Sequence, residues 1–115
     1  MVAEPESPAL AAALAGNGPY LTSTIGEIET TRVCRRAGVP SAQVDRIRSG
    51  LVVVPLDAEI ALLALSASSP TLRTLDAIHL ATAIAVRDEI DAVVTYDDRL
   101  ADAARSEGLA VLSPA

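Results

Sequence analysis

Apolar residues recur along this chain with two alternating spacings, and the alternation outlines its elements. Where they fall three and four apart the segment reads as a helix; short β-branched runs read as buried strands. Ser7 followed by Pro8 is a helix start, A-L-A-A-A-L-A continues it, and Gly16 closes it. Pro19 to Ser23 is a short strand candidate. The next helix runs from Ile25 to Ala37 and stops at Gly38, and Ser41 caps a shorter one that ends at Gly50. Leu51 to Leu56 reads as a buried strand, Asp57 caps a helix reaching Ser66, and a loop spans 68–73. Thr74 caps the helix T-L-D-A-I-H-L-A-T-A-I-A-V-R. Ala92 to Thr95 is the next strand, Asp97 or Asp98 caps the last helix, Gly108 ends it, and Leu109 to Leu112 is a final strand.

Strands apolar on both faces, alternating with helices, predict an α/β domain of three layers: a parallel sheet flanked by helices. The layout has one anomaly. It opens on a helix, whereas a doubly wound sheet ordinarily opens on a strand.

The helix from Thr74 carries a polar stripe it has no structural need for. Asp76, His79 and Thr82 recur every three residues among Leu, Ile, Val and Ala. A helix apolar on most sides is buried, and a buried aspartate must be paired, hydrogen-bonded or bound to a cation.

Composition narrows the classes. A chain of 115 residues holds one domain and one core. No apolar run is long enough to span a membrane, and M-V-A-E-P-E-S is unlike a signal peptide. Cys34, the single cysteine, excludes an internal disulfide; it fits a reducing cytoplasm and reads as a small buried side chain. With two Tyr, no Trp and no Phe, the core is aliphatic and base stacking on aromatic platforms is disfavoured. The net charge of −6 argues against a polyanionic partner. Its distribution argues otherwise: Arg32, Arg35, Arg36, Arg46 and Arg48 against Asp45 give that stretch +4, leaving −10 elsewhere. A solvated helix face explains these arginines as well as a phosphate backbone does.

Ligands of open parallel sheets sit beyond the carboxyl ends of the strands. The strand A-V-V-T leads directly into Tyr96-Asp97-Asp98. One carboxylate of the pair is accounted for as a helix cap, and Asp97, nearer the strand, is the functional candidate. In the helix 25–37, Ile28, Glu29, Arg32 and Val33 all fall within about 80° of Ile25, which sets Glu29 on the apolar face and Glu27 outside. A Glu29–Arg32 ion pair one turn apart is the structural alternative. Carboxylates with neither a histidine pair nor a thiolate cluster are hard oxygen ligands, suited to Mg²⁺ or Mn²⁺ and to phosphodiester hydrolysis. A lone His79 is more often a hydrogen-bonding support than a catalyst. No Gly-rich phosphate loop, G-x-S-x-G elbow or Cys-based metal pattern is present.

L-D-A-I-H-L-A-T-A from Leu75, V-V-T-Y-D-D-R-L from Val93 and S-T-I-G-E-I-E-T-T-R-V-C-R-R from Ser23 resemble the VapC-type PIN-domain ribonucleases, toxins of bacterial toxin–antitoxin pairs. The resemblance covers essentially the whole chain, residues 1–115, as a single PIN-like domain. It implies Glu29, Asp76 and Asp97 as catalytic metal ligands with Asp98 beside them, Mg²⁺ or Mn²⁺ as cofactor and RNA as substrate. It further implies a homodimer silenced by a cognate antitoxin in the cytoplasm.

The departure is at the front. Family members open on a strand ending in an aspartate, whereas here Met1 runs straight into V-A-E-P-E-S-P-A-L, which resembles the start of the family's first helix. The expectation is therefore a domain whose first, central strand and its carboxylate are missing, through N-terminal truncation or a misplaced start. Such a chain would be weak or inactive as a nuclease. The alternative function is a non-catalytic PIN-like remnant that binds an antitoxin or dimerises.

Overall fold

The computed structural model describes residues 2–3, 20–66, 72–95 and 97–112. Five strands form one sheet: β1 (Val2–Ala3), β2 (Tyr20–Ser23), β3 (Leu51–Val54), β4 (Val93–Val94) and β5 (Val111–Leu112). Its order is β3-β2-β1-β4-β5, with every neighbouring pair parallel. Five α-helices accompany it among the described residues: α1 (Thr24–Arg36), α2 (Ser41–Ser49), α3 (Ala58–Leu65), α4 (Thr74–Ala85) and α5 (Asp98–Ser106). A short 3₁₀ turn, Arg87–Glu89, follows α4.

The sheet is covered on both faces, as its strand composition predicts. Tyr20 and Val94 join Cys34, Val44 and Ile47 in a core under α1 and α2. Leu21 and Val93, one residue out of phase, belong to a second core with Leu80, Ala83, Leu100 and Ala104 of α4 and α5. Alternation of side chains along each strand divides neighbouring residues between the two layers. Tyr20 is the aromatic member of a core otherwise built from small and aliphatic side chains.

The expectation that the central strand is missing is corrected. Val2–Ala3 occupies the central position, with Val2 opposite Leu21 of β2 and opposite Val93 of β4, and Ala3 opposite Val94. Two residues before a Glu-Pro step give no readable strand periodicity, so pairing with both neighbours defines this strand where local pattern does not. In the sequence Glu4 comes next, outside the described residues. The helix expected from Pro8 to Gly16 also lies outside them.

The remaining boundaries differ by small, explicable amounts. Asp57 caps α3 as expected, accepting from Ile60 N–H at 2.9 Å. Ser41 and Thr74 do not act as caps; they are first helical residues behind Pro40 and Arg73, which offer no side-chain cap. Gly38 and Gly108 stop their helices in the left-handed conformation, at φ of 76° and 81°, where a Cβ would be strained.

The strand order reverses direction between β1 and β4. β2 lies on the far side of β1 and β5 on the far side of β4, and open parallel sheets carry their ligands beyond the carboxyl ends of the strands at such a reversal.

Candidate active site at the carboxyl edge of the sheet

Three helix starts converge on this edge. Helix α1 follows β2 directly: Ser23, fully buried, caps it by accepting from Gly26 N–H at 3.0 Å. Helix α5 follows β4 through Thr95 and Asp97. Helix α4 is brought to the same level by His79, whose Nε2–H donates to Glu29 Oε1 at 2.7 Å. Gly26 lets α1 lie close against the end of β2. A Cβ there would land on Thr22 Oγ1 and stand 3.6 Å from His79 Cε1. Polar residues Thr22, Ser23 and Thr95 at the strand ends are fully buried, in places where strand patterning alone expects apolar ones. The T-S and V-T-Y-D endings were the visible signal for them.

Asp76 sits in the first turn of α4, one turn before His79, and is only 6% exposed. Among the described residues no N–H, O–H or cation meets its carboxylate. It is a buried carboxylate with no partner among the described residues.

Glu29 is half-buried and held by His79. The face assigned to it from the sequence is corrected: α1 buries Gly26, Thr30 and Cys34, while Ile28 is 50% exposed and Arg32 is exposed. Small residues let the helix lie close to the sheet, and hydrophobicity alone misplaces that face by about 130°, more than a third of a turn. Glu29 lies at the boundary between the two faces, and no Glu29–Arg32 ion pair forms among the described residues. His79 is 2% exposed, and its Nδ1 is buried with no hydrogen-bond partner among the described residues.

Asp97 is the cap of α5. Its Oδ1 accepts from Arg99 N–H at 2.9 Å and Leu100 N–H at 3.0 Å, and its own N–H donates to Thr95 Oγ1 at 3.0 Å. The carboxylate singled out for function is thus also the structural one, and Asp98 stands exposed beside it. Asp97 Oδ2 accepts nothing from the described residues.

The donor chemistry fits a hard divalent cation, and Asp76 fits it best, as a buried oxygen donor with no other partner among the described residues. The gathering is incomplete: among the described residues no group of three or more His, Cys, Asp or Glu stands close enough to hold a metal ion. Glu29 is turned to His79 and one oxygen of Asp97 is committed to α5.

The PIN domain family matches residues 2–106. This chain belongs to the PIN domain family. Among its relatives in that family, Ribonuclease VapC47 of Mycobacterium tuberculosis (strain CDC 1551 / Oshkosh) is 40% identical over 121 residues, covering 99% of this chain and 88% of the relative. Ribonuclease VapC46 of Mycobacterium tuberculosis (strain ATCC 25618 / H37Rv) is 37% identical over 114 residues, covering 98% and 88%. Ribonuclease VapC35 from the CDC 1551 / Oshkosh strain is 39% identical over 100 residues, covering 83% and 73%. The chain is therefore a PIN domain of the VapC type, and that family depends on divalent metal. No helix among the described residues is long and apolar enough to cross a membrane.

Proposed function

We propose that this PIN domain is a metal-dependent endoribonuclease of the VapC toxin type, hydrolysing RNA phosphodiesters at the crevice beyond β1 and β4. The observation that carries the reading is Asp76, a carboxylate buried at the carboxyl edge of the sheet with no partner among the described residues. Leaving such a charge unpaired costs several kcal/mol, in the range of about 1–3 for a neutral polar group and more for an ion. A site that tolerates this cost is one whose charge is met by something other than protein.

Asp76, Glu29 and the free oxygen of Asp97 would hold Mg²⁺ or Mn²⁺, with Asp98 alongside. When bound, the ion supplies Lewis acidity to the phosphoryl oxygen and lowers the pKa of an attacking water. The protein's own residues set the geometry. His79 fixes one oxygen of Glu29 and leaves the other uncommitted among the described residues. The two backbone N–H groups on Asp97 Oδ1 lock that carboxylate's rotation, so Oδ2 is presented without further ordering. Thr95, holding Asp97 N–H, ties the loop to the end of β4.

A second reading, a non-catalytic PIN-like protein that binds an antitoxin or dimerises, is favoured by the absence of a gathered three-donor group among the described residues. The two readings agree on the partners: a cognate antitoxin, and a second copy of the chain. Leu62 and Leu65 of α3 and Leu75 of α4 are exposed beside a groove of about 460 Å³ lined by Leu56, Ala61, Leu65, Leu72 and Ile78. An apolar surface of this kind supports burial against another protein chain. We place the protein in the cytoplasm on the strength of its single, buried thiol.

Metal-dependent cleavage of a labelled RNA separates the two readings. The nuclease requires cleavage that begins with millimolar Mn²⁺ or Mg²⁺, stops with chelator and is lost in Asp76→Asn. Dimerisation or antitoxin binding with no cleavage at any metal concentration assigns the chain to the second reading.

A further inference from the structure

Helices α1 and α2 carry five of the nine basic residues of the chain, Arg32, Arg35, Arg36, Arg46 and Arg48, and all five are exposed. The chain has an excess of acid, with 15 Asp and Glu. None of the five arginines nevertheless forms an ion pair with any described residue. The ion pairs among the described residues are Glu29–His79 and Asp102–Arg105. A solvated face that existed only for solubility would be expected to mix signs; from Arg32 to Arg48 this one holds Asp45 against five arginines, with Glu29 one turn before them.

Its position relates it to the site. On α1, Arg32 and Arg36 lie one and two turns beyond Glu29 and within about 60° of it around the helix axis, on the same outward strip. At about 1.5 Å per residue they stand roughly 5 and 10 Å further along. Arg35 flanks the strip about 120° from Glu29, and α2, packed against α1, adds exposed Arg46 and Arg48, about 160° apart around its own axis. The apolar leucines of α3 and α4 lie on other elements, and like charge keeps a second copy of this face from pairing with it.

We propose that the arginine face of α1 and α2 is the track for the RNA backbone, leading the strand from Arg48 and Arg46 through Arg36 and Arg32 to Glu29. This rests on the ribonuclease reading and adds to it a sequence-independent anchoring surface outside the metal site. The guanidinium groups meet phosphates, so they fix the register of the strand without reading its bases. They also oppose the repulsion between a chain of net charge −6 and a polyanion.

The test uses the full chain in an Asp76→Asn background, which keeps the RNA intact, and fluorescence anisotropy of two unrelated fluorescein-labelled single-stranded RNA 12-mers. Binding is measured against salt. Each phosphate contact contributes about −0.7 to the slope of log affinity on log salt. Arg36→Gln alone is expected to flatten the slope by about 0.7 on both RNAs. Replacing all five arginines by Gln is expected to weaken binding at least about tenfold at low salt. Arg105→Gln, which removes an arginine paired with Asp102, is expected to leave the slope unchanged. Circular dichroism checks that each variant is folded.

An unchanged slope in the fivefold variant overturns the proposal, as does equal loss in Arg105→Gln. Loss of binding to polyglutamate with RNA binding intact would assign the face to an acidic peptide and overturn it too. Failure of the parent chain to bind either RNA is a different result, and it removes the ribonuclease reading on which the proposal stands.

Discussion

Asp76 places function and stability in opposition within one side chain. Its carboxylate is buried and meets no described donor, so Asp76→Asn should abolish RNA cleavage yet raise the stability of the metal-free protein by about 1 kcal/mol, read as a higher urea midpoint in chelator. A lower midpoint would mean that the carboxylate is held by protein after all. Asp97 divides differently. Asn keeps an oxygen for the N–H groups of Arg99 and Leu100, whereas Ala removes it. Asp97→Ala is therefore expected to cost about 1 kcal/mol and Asp97→Asn only a fraction of that, with cleavage lost in both. Cys34 is buried under α1, and burial pushes its thiol above the ordinary value. The neutral thiol is favoured in the folded state, so its contribution to stability is complete below the ordinary thiol range and falls as pH rises through it and beyond. Denaturation midpoints at rising pH should decline less in Cys34→Ala than in the parent, and a thiol reagent should react with the parent only as fast as it unfolds.

The elements were legible where they announce themselves by periodicity or punctuation. Helices α1 to α5 lie close to the segments their apolar spacing marks, Gly38 and Gly108 end two of them, and the L-V-V-V run is β3. The candidate carboxylates were legible too, because acids on apolar elements or just after strands stand out. The orientation of α1 was not. Its face is decided by what must be small rather than by what is greasy, and Gly26, Thr30 and Cys34 give a hydrophobicity wheel little to weigh. Nor could spacing within one helix disclose that Glu29 meets His79, 50 residues away. Gly26→Ala tests this packing argument. Its methyl would collide with Thr22 Oγ1, and the expected loss is roughly 1–3 kcal/mol with cleavage impaired through the displaced Glu29–His79 pair. A variant as stable as the parent would show that α1 has room to spare.

The described residues present two unlike exteriors, one of arginines with no ion pair among those residues on α1 and α2 and one of exposed leucines on α3 and α4. If the second is where two chains meet, Leu62→Arg with Leu65→Arg should shift sedimentation from dimer to monomer while leaving the far-ultraviolet dichroism intact. A parent that sediments as a monomer at micromolar concentration removes that face as a self-association surface. The sheet joining these exteriors is uneven: β2 and β3 pair along four residues each, whereas Val2 and Ala3 carry the junction to β4. Among the described residues few backbone hydrogen bonds cross that junction, so the link between the two halves of the sheet passes largely through α4, which packs on β2 and β1 in one half and on α5 in the other. Amide exchange should then resolve the domain into two protected blocks, one at Tyr20–Ser23 and Leu51–Val54 and the other around α5 and β5. An ion drawing Glu29, Asp76 and Asp97 together would bridge those blocks, so its binding should merge two exchange regimes into one cooperative unit.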